Sequence, residues 1–97
     1  MNDRIYMVVY DIVDPRRLRR VHRLMRGFGE WLQLSVFQCR LSKYQHAYLI
    51  SELSTHIHHK EDHVLIVDLG PAERVHPRVV SLGKTGYDPI VREPTIV

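Results

Sequence analysis

The sequence predicts an α+β domain in which two helices cover one face of a sheet, and three observations predict it. Two apolar runs rich in β-branched and aromatic residues, Ile5-Tyr6-Met7-Val8-Val9-Tyr10 and His63-Val64-Leu65-Ile66-Val67-Asp68-Leu69, read as buried strands. Leu18, Val21, Met25 and Phe28 recur at spacings of three, four and three, the stripe of an amphipathic helix. Ala47, Leu49, Ile50, Leu53 and Ile57 form a second such stripe.

Each element has local signals. The first strand covers residues 4–12 and is apolar at nearly every position, as a central, covered strand would be. Asp14 is a good N-cap and Pro15 fits the first helical position. Gly27 and Gly29 stop the first helix. Residues 30–41, with Trp31, Val36 and Phe37, favour extended structure and hold no Gly or Pro to mark a turn. Ser42 caps the second helix, with Gln45 as its capping-box partner. Gly70-Pro71 ends the last long strand. Residues 75–82 offer a short strand broken by Pro77 and closed by Gly83, and an extended tail follows.

At 97 residues the chain is one domain, residues 1–97, with a single modest core. Hydrophobic residues at 44% and charged residues at 26% are ordinary for a folded protein. No apolar run is long enough to cross a bilayer, and the first residues lack a signal-peptide pattern. The single Cys39 excludes an internal disulfide and fits a cytoplasmic setting, with the thiol acting as a small hydrophobe. No glycine-rich phosphate loop, dinucleotide fingerprint or Ser-His-Asp signature is present.

The net charge of +3 is unevenly spread. Arg16, Arg17, Arg19, Arg20, Arg23 and Arg26 put +6 on the first helix, with no acid among them, so the rest of the chain is net −3. Bases at a helix N-terminus are disfavoured, and these repel one another at i, i+3 and i, i+4. Stability alone does not select that arrangement; an external anion would. Arginine binds phosphate oxygens in a bidentate fork, which favours nucleic-acid phosphate. The alternative is a solvated face paired with Glu30, Glu52 or Glu61. His22 lies in the same run, within reach of a phosphate. His46, His56, His58, His59 and His63 lack the spacing of a zinc site and read as a solvated helix end.

Asp11 closes the first strand beside this helix. A carboxylate at the mouth of a buried strand must be hydrogen-bonded, paired or bound to a cation. It is either a turn former or a metal ligand. Mg²⁺ takes one or two carboxylates with waters and phosphate oxygens, and a two-fold dimer would bring two copies of Asp11 together.

Seven elements together resemble a known family: Tyr10-Asp11-Ile12, the run from Arg16 to Val21, Gly29, Gln33-Leu34-Ser35-Val36-Phe37, Leu41-Ser42, Asp62 leading into the apolar segment that ends at Leu69, and Ser81-Leu82-Gly83-Lys84. The chain resembles the CRISPR-associated protein 2 family over nearly its whole length. The resemblance implies a ferredoxin-like βαββαβ sandwich with an extra C-terminal strand, forming a homodimer with facing sheets. It divides the chain into a core at 1–83 and a segment at 84–97 that packs on the partner subunit. It implies a CRISPR adaptation protein that bridges integrase subunits and holds protospacer DNA during spacer acquisition. Some members are metal-dependent nucleases on RNA or double-stranded DNA. Residue by residue, Asp11 falls on the catalytic and metal-binding aspartate, with Mg²⁺ at the dimer axis. Arg16, Arg17, Arg19, Arg20 and Arg23 fall on the nucleic-acid-binding helix. Tyr10, Ser35 and Phe37 fall on positions supporting the site or the dimer.

Three functions follow as expectations: a duplex-gripping scaffold, a Mg²⁺-dependent phosphodiesterase acting through Asp11, and a non-catalytic protein-interaction module with a solvated arginine face.

Overall fold

Residues 2–83 are described by the computed structural model. Six elements follow one another: β1 (Arg4–Asp11), α1 (Pro15–Arg26), β2 (Gly29–Gln33), β3 (Val36–Leu41), α2 (Lys43–His56) and β4 (His63–Pro71). The strands form one antiparallel sheet in the order β2-β3-β1-β4. That order, with one helix between β1 and β2 and one between β3 and β4, is the ferredoxin-like βαββαβ arrangement.

β1 is central, as its composition predicts. Its side chains alternate between faces. Tyr6, Val8 and Tyr10 enter the core, while Met7, Val9 and Asp11 alternate to the opposite face. Val21 and Met25 from α1, Leu49 and Leu53 from α2, and Trp31, Phe37, Cys39 and Leu41 from the β2–β3 hairpin complete the core. In α2 the apolar stripe is narrower than predicted: Leu49 and Leu53 are buried and Ile57 half-buried, but Ala47 and Ile50 are exposed.

Residues 30–41 are two strands. The chain reverses at Leu34-Ser35 without Gly, Pro or Asn. Leu34 adopts φ 35°, a region disfavoured for a residue with a Cβ. The Trp31 indole N–H donates to the Leu34 carbonyl at 3.1 Å and pins the turn to the core. The hairpin closes tightly at its other end. A Cβ on Gly29 would stand 2.4 Å from the Gln38 carbonyl oxygen and 2.5 Å from Cys39 Sγ. Both caps form as read: Asp14 accepts from the backbone N–H of Arg16 and Arg17, and Ser42 and Gln45 make a full capping box.

β4 departs from its predicted burial. Among the described residues it is an edge strand, paired to β1 alone. Val64 and Ile66 pack on the core, but Leu65 and Val67 alternate to the helix-free face and are 50% and 43% exposed. A continuous apolar run therefore marks an edge strand here, one face on the core and the other uncovered. Gly70 at φ +123° lies at the register shift where Tyr6 pairs with Asp68 and Ile5 with Gly70, and Val75 closes over it. The short strand expected at 75–82 does not form. Instead Pro77, Arg78, Val79 and Val80 lie over Glu30, Leu32 and Gln38, enclosing a cleft of ≈ 520 Å³. The predicted C-terminal strand and the segment 84–97 lie outside the described residues.

Candidate nucleic-acid interface

The site begins where β1 ends. Asp11 is exposed, so its carboxylate keeps its water and has no desolvation cost to offset. No side-chain hydrogen bond or ion pair engages it among the described residues. The obligatory partner that a buried carboxylate would need is thus not required. The buried carboxylate of this region is Asp62, whose side chain has 0% exposure.

Beneath Asp11, Tyr10 points into the core. Its Oη and His22 Nδ1 lie 3.0 Å apart in a buried hydrogen bond, and Phe37 packs edge-on against the His22 ring. Ser35 enters the site through its backbone: the Tyr10 N–H donates to the Ser35 carbonyl at 3.1 Å. The β2–β3 turn is therefore tied to the same end of the sheet as Asp11. Tyr10, Ser35 and Phe37 do come together around Asp11's strand end. His22 does not join the arginine surface; it is turned inward.

From Asp11 the chain passes through Ile12 and Val13 into α1. Arg16, Arg19, Arg20 and Arg23 are exposed, and none of them has an ion pair among the described residues. Of the acids the sequence offered to the arginine helix, Glu61 does take one of its arginines, but not one of these four, and Glu52 faces a histidine. Glu61 takes Arg17 at 2.9 Å, and Glu52 lies 3.9 Å from His56. The first turn of α1 holds no acidic residue. Four guanidinium groups are thus presented to solvent along the helix from its first turn, at Arg16, to its last, at Arg23, a concentration of positive charge that attracts anions.

Arg17 differs from its neighbours. Its side chain is only 20% exposed, and its Nε and Nη2 donate to both oxygens of Asp62 at 2.8 and 3.2 Å. Asp62 also accepts the backbone N–H of Val13 at 2.9 Å and of His58 at 2.7 Å. The Arg17 fork holds the Asp62 carboxyl well below the usual carboxylate range, against the upward push of burial, and the two backbone donors add to it. Asp62 was read in the sequence only as the residue leading into the last apolar segment; its pairing with Arg17 is what sequence reasoning missed. Its signal was its place, directly before β4 and opposite an arginine helix that lacks acids of its own.

Among the described residues no group of three or more His, Cys, Asp or Glu side chains is arranged to hold a metal ion. No helix there is long and apolar enough to cross a membrane.

The structure is a ferredoxin-like α+β domain in which one helix carries four exposed arginines that have no ion pair among the described residues. The family model described as CRISPR associated protein Cas2 matches residues 4–75, and the chain belongs to the Cas2 family. It is 53% identical to a CRISPR-associated endoribonuclease Cas2 of Geobacter sulfurreducens, over 98% of this chain and 99% of that one. It is 48% identical to a CRISPR-associated endoribonuclease Cas2 of Rhodospirillum rubrum, over 95% of this chain and 89% of that one. The fold matches the crystal structure of Streptococcus pyogenes Cas2 with a TM-score of 0.68 and 29% identity, covering 81% of this chain and 99% of that one. A hypothetical protein from Thermus thermophilus matches with a TM-score of 0.71 and 29% identity, covering 88% and 96%.

Proposed function

We propose that the protein is a CRISPR adaptation subunit: a homodimeric scaffold that grips nucleic-acid backbone with its arginine helices and bridges integrase subunits while protospacer DNA is held. The observation that carries this is the row of exposed arginines Arg16, Arg19, Arg20 and Arg23, none of which has an ion pair among the described residues. Such contacts position a duplex without reading its sequence. The dimer rests on the helix-free face. Met7, Val9, Val36, Leu65 and Val67 meet there in register, Val9 beside both Val36 and Leu65, and Met7 beside Val67. Leu65 and Val67 in particular are left in water by a single chain. A second copy would cover them, and the segment 84–97 would pack on that partner.

Asp11 follows the alternation of Met7 and Val9, so face-to-face pairing would bring two copies of it together. The names of the relatives suggest phosphodiester cleavage of RNA, and duplex DNA is the second candidate substrate. An exposed carboxylate with no side-chain partner among the described residues fits Mg²⁺, which accepts one or two carboxylates along with waters and phosphate oxygens. A bound ion would supply an activated water and neutralise charge on the scissile phosphate. This chain's own residues would hold the ion through Asp11 and fix the backbone through the arginines.

The test separates the two roles. Reversing Arg16, Arg19 and Arg20 to Glu abolishes duplex binding, whereas Asp11→Asn leaves binding intact. Cleavage, measured on RNA and duplex DNA in parallel, requires Mg²⁺ and is lost in Asp11→Ala. Wild-type binding by the triple variant would sink the scaffold reading; cleavage persisting in Asp11→Ala would sink the catalytic one. Absence of any salt-sensitive binding would favour a non-catalytic protein-interaction module.

A further inference from the structure

Arg17 is the arginine of α1 that the structure shows already committed, and the place of its partner gives that commitment a use. Asp62 immediately precedes His63, the residue that pairs with Asp11 across the β1–β4 ladder. Its buried carboxylate therefore sits at the same sheet end as Asp11. From there it reaches three segments: Val13 in the β1–α1 connection, Arg17 in the first turns of α1, and His58 after α2.

The β1–α1 connection is only Ile12, Val13 and Asp14. Asp14 is used from inside the helix, accepting Arg16 N–H and Arg17 N–H at 3.0 Å each. That cap fixes the start of the helix but not its angle to the sheet. Beside the buried Tyr10–His22 bond, Asp62 ties the connection from across, holding Val13 on one side and the Arg17 fork on the other. The Asp11 backbone is held in the ladder by His63, but among the described residues its side chain has no contact that ties it to Arg16 or Arg20. Both depend on the same three-residue connection.

We propose that Arg17 is a positioning residue and not a phosphate ligand: its fork on Asp62 sets the β1–α1 connection, so that Asp11 and the exposed arginines keep one fixed geometry. This rests on the nucleic-acid reading above for its purpose, but not for its test. A planar fork held at two carboxylate oxygens specifies direction as well as distance, which a lysine would not.

The experiment uses the full chain with Arg17→Gln, Arg17→Lys, Asp62→Asn and, for comparison, Arg20→Gln. Binding of a short blunt DNA duplex is followed by fluorescence anisotropy across a salt series. Amide hydrogen exchange of Val13 and Val8 is followed by NMR. Removing a phosphate contact lowers the log-affinity against log-salt slope by about one, the result expected for Arg20→Gln. Arg17→Gln leaves the slope at its wild-type value while Val13 exchange rises at least about tenfold and Val8, in the core strand, stays protected. Arg17→Lys keeps the charge and recovers part of the Val13 protection. Asp62→Asn reproduces the Arg17→Gln exchange pattern.

A slope reduced by about one in Arg17→Gln would make Arg17 a phosphate ligand and overturn the proposal. Unchanged Val13 exchange would overturn it too, as would equal acceleration at Val8, which would show general loosening of the fold. If wild type shows no salt-dependent binding, the nucleic-acid reading falls, and the exchange pattern alone then decides the clamp.

Discussion

Tyr10 Oη and His22 Nδ1 meet at 3.0 Å inside the core, directly beneath the strand end that carries Asp11. The bond joins β1 to α1 at the level of the candidate site. Phe37 from β3 packs against both rings, with centroids 6.3 Å from Tyr10 and 5.3 Å from His22. One polar contact in an apolar setting thus links three elements, and such buried contacts specify packing closely.

Tyr10→Phe keeps the ring and removes the hydroxyl. The loss of this buried hydrogen bond is expected to cost about 1–2 kcal/mol. Phe37→Ala empties a fully buried position and is expected to cost about 3–5 kcal/mol. Urea unfolding of both variants measures the difference. A Tyr10→Phe protein as stable as wild type would show that the bond adds nothing beyond the ring's burial.

The β2–β3 hairpin gives effects of opposite sign at its two ends. Leu34 holds φ 35° with an exposed side chain, so the strain has no packing gain set against it. Leu34→Asn places a residue that tolerates this region there and leaves the Trp31 bond to the backbone carbonyl intact. It is expected to stabilise by about 0.5–1 kcal/mol. Gly29→Ala drives a Cβ into backbone and sulfur, and is expected to cost about 3 kcal/mol because the Gln38 carbonyl is held in the ladder. Thermal unfolding of the two variants against wild type checks both signs.

This hairpin marks where the sequence was hard to read. Turn chemistry is legible when Gly, Asn or Pro supplies it; at Leu34-Ser35 the core supplies it instead, through Trp31. β1, α1 and both helix caps were legible because local rules and tertiary packing agree there. β4 misled because an apolar run does not reveal whether its second face is covered by the same chain. Asp11 and the arginines were visible as residue types, yet only the structure separates them. Asp11 is exposed, Arg17 is tied to Asp62, and His22 is turned inward. Long-range pairs such as Arg17–Asp62 leave no trace in local spacing.

Acid should undo the fold through its engaged carboxylates. Asp62 is held low chiefly by the Arg17 side chain, Asp14 chiefly by the Arg17 backbone N–H, and Asp68 chiefly by the Arg4 side chain. Each therefore binds a proton less readily folded than unfolded. The stability they contribute is complete above the unfolded-state value near ~4 and is lost as pH falls toward the lower folded-state values. The urea midpoint is expected to stay level from about pH 7 to about pH 5 and to drop below about pH 4. Asp62→Asn lowers the midpoint at neutral pH and flattens the acid limb, since its proton uptake no longer differs between the two states. An acid limb as steep as wild type in that variant would place the proton linkage elsewhere.

The helix-free face makes the sharpest demand on solution behaviour. Leu65 and Val67 lie on the edge strand, opposite Val9 and Met7 of the central strand, and the stretch that crosses the sheet lies over β2 and β3 and not over them. Covering such apolar surface yields about 25 cal/mol per Å² removed from water. A dimer that closes this face is expected to have a protomer pair as its mass by light scattering at micromolar concentration. Leu65→Asp with Val67→Lys puts opposite charges on the face without touching the core side of β4, where Val64 and Ile66 pack. That variant is expected to run as a folded monomer, with its circular dichroism unchanged. Its affinity for duplex should fall by about tenfold or more, because two arginine helices no longer act as one linked pair. A monomeric wild type, or a variant that remains dimeric, would place the association on another surface and leave Asp11 without its partner copy.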